Sequence, residues 1–366
     1  MGHAWIDGNP VALEAAAAEA ARLLSAARLP VIAGLGTDVA GARAAIALAQ
    51  RLGGVIDHMH SDVLLRDLAV MRETGMMVTT ANEARLRADT VLAIGGALFA
   101  RPELAKNLLT PPAAPEVGQD VKRRVFRLCA PRRPGLAPVR AEIRTIGREA
   151  DELPALLAGV RARVAGRPVN RMVVPQRTLD ALAADLQAAR FGVAVWSAAE
   201  LDALAIEMLC GLIDDLNART RFTGLPVVPG DNAVGVMQAC GWMTGFPLRT
   251  GFGRGRPEHD PWRHDARRLI ESREADCVLW VSAYGAAAAD PPGDVPMIAL
   301  MPDASLPHPA RVHIAVGRPG IDHDAVEHLA PTGTLTAVAA RAPRDTISVV
   351  QAIARIAACV PGADPC

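Results

Sequence analysis

Two histidines, His58 and His60, stand two residues apart with Asp57 and Asp62 beside them. On an extended strand they would share one face, which suits chelation of a metal by imidazole. No third and fourth ligand follows nearby, and a polar loop after a strand accounts for the same residues. A second candidate is the run Gly34-Leu35-Gly36-Thr37-Asp38. Glycines at the end of an apolar run can bring backbone N–H groups and a helix N-terminus to a phosphate. Gly41, the next glycine, lies at the wrong spacing for a dinucleotide fingerprint. A tight strand-to-helix turn capped by Thr37 or Asp38 is therefore the competing reading. The third candidate is basic: Arg249, Arg254, Arg256, Arg263, Arg267 and Arg268 face only Glu258, Asp260 and Asp265. With Gly251, Gly253 and Gly255 between them, they predict a flexible loop leading into a helix. Such a loop can grip phosphates or carboxylates bidentately, or pair with local acids at a solvated or partner-facing surface. G-x-S-x-G, Walker A and H-E-x-x-H patterns do not occur, and Ser, His and Asp are too dispersed to nominate a triad.

The elements that must position these residues follow one grammar. Residues 10–28 are an Ala-rich amphipathic helix that Pro30 ends. An apolar run reaches Gly34 and Gly36, a helix closes at Gly53 and Gly54, and residues 54–58 form another strand. The pattern recurs in a helix before Thr90, a buried strand to Ile94, Gly95 and Gly96, and a strand at 121–129, with loops at 110–120 and 130–138. Helices are expected at 151–166, 176–189, 198–217 and 262–273. Strands are expected at 191–196, 275–284, 295–302, 311–317 and 334–340. Residues 225–242 read as a loop leading into a helix, and a last helix closes the chain. Strands that end in glycine and feed helices are the grammar of a parallel sheet. The expected fold is therefore α/β, with two Rossmann-like parallel-sheet halves, 1–166 and 167–366, whose segments can interleave. In such sheets the ligand crevice lies beyond the carboxyl ends of the strands. The turns at Gly34–Asp38, Gly95–Ala97 and Ser282–Gly285 are its expected walls, and Asn232 is a further crevice candidate.

Composition narrows the class. Hydrophobic residues are 51% and aromatics 3% of the 366 residues, so the cores must be built from Ala, Val, Leu and Ile. Lys+Arg and Asp+Glu both number 39, which argues against a nucleic-acid surface. A chain with this little net charge repels itself weakly, as suits a surface largely covered by partners. No long uncharged apolar stretch predicts a membrane span, and residues 1–10 lack a signal-peptide pattern. Cys129, Cys210, Cys240, Cys277, Cys359 and Cys366 form no C-x-x-C pair and are expected to be reduced thiols of a cytoplasmic protein.

The order of these fragments resembles a known family. GLGTDVAGARAAIALAQRLGGVIDH is similar to the first βαβ of molybdopterin-type oxidoreductases, and ADTVLAIGGALFARPELAKNLL to a later strand and loop of that fold. PGDNAVGVMQACGWMTGFPLRTGFGRGRPEHDPW, at 229–262, resembles a stretch of the B-subunit family of formylmethanofuran dehydrogenases. ADCVLWVSAY and VHIAVGRPGID continue the likeness, which spans residues 30–350. The catalytic members carry an N-terminal cysteine cluster for an iron–sulfur centre and a Cys or selenocysteine that ligates tungsten or molybdenum. Here the first cysteine is Cys129, and the segment expected to hold the ligand reads HMHSDVLLRDLAVMRETG, without a thiol. Soft metals and iron–sulfur clusters require thiolates. The resemblance therefore points to the metal-free branch, the formyltransferase/hydrolase complexes of methylotrophic bacteria. It implies no tungsten or molybdenum pterin, no iron–sulfur domain or cluster and no catalytic residue in this chain. It implies as partners a formyltransferase, a hydrolase and further subunits, with a methanofuran-type carrier as another candidate. Arg249, Arg254, Arg256, Arg267 and Arg268 are the candidates for holding the carrier's tail or a neighbouring subunit. An independent nucleotide- or metal-dependent enzyme and a stand-alone binding module are the competing classes.

Overall fold

The computed structural model describes residues 3–110, 123–129, 142–147, 152–170, 172, 174–285, 295–302 and 310–362. The loops expected at 110–120 and 130–138 lie almost wholly outside these residues, as does Cys366. The chain opens with β1 (Ala4–Ile6), β2 (Asn9–Val11), α1 (Leu13–Ala26), β3 (Pro30–Gly36), α2 (Val39–Leu52), β4 (Val55–Ile56) and α3 (Ser61–Thr74). It continues through α4 (Ala81–Arg87), β5 (Thr90–Ile94), α5 (Pro102–Leu109), β6 (Arg124–Leu128) and β7 (Glu142–Ile146). Next come α6 (Leu153–Val164), α7 (Gln176–Gln187), β8 (Gly192–Trp196), α8 (Ala203–Asn217), β9 (Phe222–Pro226) and α9 (Ala233–Thr244). The last stretch holds β10 (Thr250–Gly251), β11 (Glu258–His259), α10 (Ala266–Glu271), β12 (Cys277–Ser282), β13 (Met297–Met301) and β14 (Val312–Ala315). β15 (Ala325–Leu329), β16 (Thr334–Val338) and α11 (Val349–Cys359) follow. Among the described residues no helix is long and apolar enough to cross a membrane.

Two compact units result, and the chain does not divide between them at 166. One unit takes Met1–Ser61, Pro229–Leu329 and Thr334–Cys366, and the other Asp62–Val228 and Ala330–Gly333. The physical reason is that the first unit's sheet recruits strands from both ends of the sequence. Gly166 only ends α6, which packs on α7 within the same unit.

In the first unit nine strands run in the order β11-β10-β4-β3-β12-β13-β14-β1-β2. The central five are parallel, and β10 and β1 pair antiparallel at the flanks. All residues of β3 and β12 are buried, which is why both read as continuous apolar runs. In the second unit five parallel strands run β7-β6-β5-β8-β9. Alternate residues of β5 serve opposite faces: Leu92 and Ile94 join one apolar cluster, Val91 and Ala93 the other. β9 is not among the strands expected from the sequence, and its last two residues enter the segment expected as a loop from 225. Its Gly224 and Pro226 are turn formers, yet its register with β8, Gly192↔Phe222 to Trp196↔Pro226, supplies the pairing. The helix expected from 198 starts only at Ala203, because Asp202 accepts from the Ala205 amide and caps it.

Asp89 locks the second sheet at its N-terminal edge. Its carboxylate accepts from the Arg190 and Phe191 amides at 2.9 and 3.3 Å, and its carbonyl from the Arg124 amide at 2.9 Å. One residue thus ties the starts of β5, β6 and β8. Asp89→Ala is expected to cost about 1–3 kcal/mol by leaving two amides without an acceptor. Native-state hydrogen exchange at the β5 and β8 amides reads it, and unchanged protection would refute the lock.

Candidate functional site

In a doubly wound sheet the strand ends diverge where the winding reverses. In the first unit that point lies between β3 and β12, so the turns after Gly36 and Ser282 flank it. Gly34 has φ +75°, and a Cβ there would stand 2.6 Å from the Val281 carbonyl oxygen, so only glycine lets β3 lie this close to β12. Asp38 then caps α2, its Oδ1 accepting from the Gly41 amide at 2.9 Å. Thr37 is fully buried. Above this turn sit Asp231 and Asn232, both left-handed at φ +56° and +54°. The Asn232 Nδ2 donates to the Thr37 carbonyl and its Oδ1 accepts from the His328 amide, both at 2.9 Å. The place an anion would take above the turn is thus roofed by the chain's own amide side chain.

His58 and His60 do not lie on a strand, because β4 ends at Ile56. They occupy the turn before α3, and they still converge, with ring centroids 5.5 Å apart. The His60 amide donates to His58 Nδ1 at 3.0 Å, so His58 carries its proton on Nε2 and donates to the Asp231 carbonyl at 3.2 Å. Burial lowers the His58 pKa to about 4, which keeps the ring neutral. His60 Nε2 meets the Asp231 carboxylate at 3.1 Å. The two rings therefore clasp one residue, Asp231, from its backbone and its side chain. Met59 closes the same space: a Cβ on Gly36 would lie 3.1 Å from Met59 Cε and 3.4 Å from Asp231 Cβ. Neighbouring Tyr284 donates to Glu327 Oε1 at 2.8 Å, and burial, then Glu327, raises its pKa.

The second unit's winding reverses between β5 and β8. Gly95, at φ +66°, would place a Cβ 2.2 Å from Glu200 Oε2, and that carboxylate accepts from the Gly96 amide at 2.6 Å. A carboxylate of the chain itself stands where a bound phosphate would accept. Gly34, Gly36, Thr37, Asp38 and Asn232 thus gather at one winding reversal, and Gly95 at the other unit's. The residues that close both points, Met59, Glu200 and Asp231, were not legible beforehand. Only the left-handed tendency of an Asp-Asn pair after Pro229-Gly230 hinted at the last.

The basic stretch is an ordered hairpin. Arg249, at φ +60°, is held inside: its guanidinium faces Asp57 at 3.5 Å, pairs with Asp265 and donates to the Pro261 carbonyl at 2.8 Å. It leaves the set that could hold a carrier or a neighbour, because its charge is spent on two carboxylates of the interior. Asp57 accepts from the Ser61 hydroxyl and the Ala266 amide; burial pushes its carboxyl up to about 6, against the pull of Arg249. Arg268 stacks 4.4 Å over Trp262 and binds Glu274. Arg254 and Arg256 share Glu258 at 3.4 and 3.5 Å, and Arg267 lies 4.0 Å from Glu271. These three keep exposed guanidinium groups.

The residues do not fit the metal centre of the catalytic relatives. The turn that would offer a ligand supplies imidazole already bound to Asp231; Cys129, Cys210, Cys240 and Cys277 are buried, and Cys359, at the end of α11, is exposed. Burial pushes Cys210 to about 11 and Cys277 to about 12, which holds them as thiols. Among the described residues no group of three or more His, Cys, Asp or Glu is placed to hold a metal ion.

No protein-family model matches the chain. It is 34% identical over 325 residues to the B-subunit of the formyltransferase/hydrolase complex Fhc of Methylorubrum extorquens, covering 87% of this chain and 85% of that one. It is 27% identical over 318 residues to the B-subunit of the tungsten-containing formylmethanofuran dehydrogenase 2 of Methanocaldococcus jannaschii, covering 82% and 69%. Among solved structures it resembles a chain of the formyltransferase/hydrolase complex (FhcABCD) from Methylorubrum extorquens in complex with methylofuran. The TM-score is 0.85 at 32% identity, covering 96% of this chain and 97% of that one.

Two substitutions separate the buried charges by pH. The His58 pKa is depressed, so between its unfolded value and about 4 the unfolded chain binds more protons and stability falls as pH falls. His58→Gln is expected to flatten that acid limb in urea unfolding at pH 7 and pH 5; an unaltered slope counts against it. Arg249→Met leaves Asp57 and Asp265 facing each other and is expected to cost about 3–5 kcal/mol. Since the Asp57 pKa is already raised, its further rise makes stability fall as pH climbs from the unfolded carboxylate value through the folded one. The loss should be larger at pH 8 than at pH 5, and the reverse order would refute the pairing.

Proposed function

The chain belongs to the B-subunit family of formyltransferase/hydrolase complexes, and on that premise we propose that it is a non-catalytic subunit of such a complex. The other subunits would transfer formyl from formyl-tetrahydromethanopterin to a methanofuran-type carrier and hydrolyse the product to formate. The observation that carries the non-catalytic role is that both winding reversals are closed by the chain's own groups. Asn232, Asp231 and Met59 close one, and Glu200 the other. A ligand that entered either would first have to break these bonds and find partners for the groups released.

In this reading the chain carries no tungsten or molybdenum pterin and no iron–sulfur cluster, and it works in the cytoplasm. The buried, protonated thiols support the first point, since soft metals take thiolates. Arg254, Arg256 and Arg267 remain as groups that could hold a carboxylate of the carrier or of a neighbouring subunit, and we favour the subunit.

The test is a tagged chain purified from its own cell, examined by native mass spectrometry and elemental analysis. The expected outcome is co-purification with a formyltransferase and a hydrolase, with no stoichiometric tungsten, molybdenum, iron or zinc assigned to this chain. A metal held by His58, His60 or a cysteine would sink the metal-free reading. A lone, active chain would sink the assignment to a complex.

A further inference from the structure

Exposed large apolar side chains stand at the β11 edge of the first unit's sheet and in the last turn of the helix that leads to it. Trp242 and Met243 end α9, Phe246 follows them, and Trp262 follows β11; Trp242 is 65% and Trp262 69% exposed. Phe246 stacks on His259 of β11 with centroids 6.4 Å apart, which joins the end of α9 to the hairpin. Trp262 is braced by Arg268 and stands over a pocket of ≈ 350 Å³ that also includes Leu29, Val55 and Leu269. In a chain with only 3% aromatics, two of the five tryptophans are thus left exposed, one beside β11 and one in the helix turn that precedes Phe246. Rigid, exposed tryptophans beside a pocket are the chemistry of an interface anchor.

The surroundings say what kind of occupant fits. Within residues 252–274 the exposed charges are Arg254, Arg256, Arg263, Arg267 and Arg273 against Glu271 and Glu274, whereas Glu258 and Asp260 are half-buried and bonded, so the balance stays positive. The rim is therefore positive around an aromatic centre. A second copy would bring like charges together in a two-fold contact, which disfavours it. Strand addition is disfavoured as well: Pro257 and Pro261 bracket the two-residue edge strand and remove its flanking donors.

We propose that this edge, Trp242, Phe246 and Trp262 with the Arg254–Arg256 rim, docks a different subunit of the complex, through apolar sockets edged by carboxylates. The proposal rests on the functional reading above and adds the surface and its chemistry. The docking works through side chains, so the aromatics set its lifetime and the arginines its rate of encounter.

The test uses the tagged chain in its own complex. Trp242→Ser, Phe246→Ser and Trp262→Ser are introduced singly and together, with circular dichroism to check the fold. Each tryptophan change is expected to weaken the chain's hold on the complex by about tenfold or more, and the triple variant to purify alone. Arg254→Glu with Arg256→Glu, at side chains 65% and 73% exposed, is expected to slow association and reverse its salt dependence. A triple variant that keeps its partners at wild-type affinity overturns the proposal, as does one that loses only self-association. If the triple variant misfolds, the charge reversal decides: unchanged association overturns the proposal. The wild-type chain separates the two ideas. Should it purify without partners, membership of a complex fails; should it bring partners that the triple variant also brings, only the docking surface fails.

Discussion

A single buried carboxylate, Asp57, organises the edge of the first unit. It sits at the end of β4 and receives the Ser61 hydroxyl, the Ala266 amide and the charge of Arg249. These partners come from the start of α3, the start of α10 and the head of the basic hairpin. Burying a carboxylate is unfavourable unless it is paired and hydrogen-bonded, so the three elements are held where they can reach it. Arg249 accepts a left-handed backbone to do so. The hairpin's outer face, with its tryptophan and exposed guanidinium groups, is presented only because its root is fixed inside.

The same logic accounts for the turns at the two winding reversals. A strand end followed by glycine and a helix is an anion site by construction, since backbone N–H groups and the helix dipole point at one place. Here Asp38 and Glu200 take backbone amides at these turns, and Asn232 bridges two backbone groups above the first. A fold whose relatives include tungsten-containing enzymes thus holds itself together with the groups that would otherwise wait for a ligand. His58, neutral by burial, and His60 belong to this closure, gripping Asp231 from its backbone and its side chain.

Much of the architecture is legible from the chain alone. The strand Thr90–Ile94 falls where its apolar run and bounding glycines place it, and Gly53 ends α2 in a left-handed cap as its position predicts. The absence of a thiol near residue 58 is likewise plain in the sequence. These features are local: apolar periodicity, turn residues and ligand chemistry act over a few positions.

What only the tertiary structure decided is non-local. β9 escapes notice because Gly224 and Pro226 argue for a turn, and it exists only through its pairing with β8. The interleaved units follow from which strands find each other, since β3, near the start of the chain, pairs with β12 in its last quarter. Arg249 and Arg254 look alike in the sequence, both arginines among glycines, yet one is sealed against Asp57 and the other faces water. Sequence determined which groups could carry charge or bind; burial, which depends on long-range packing, decided which of them are free to do so.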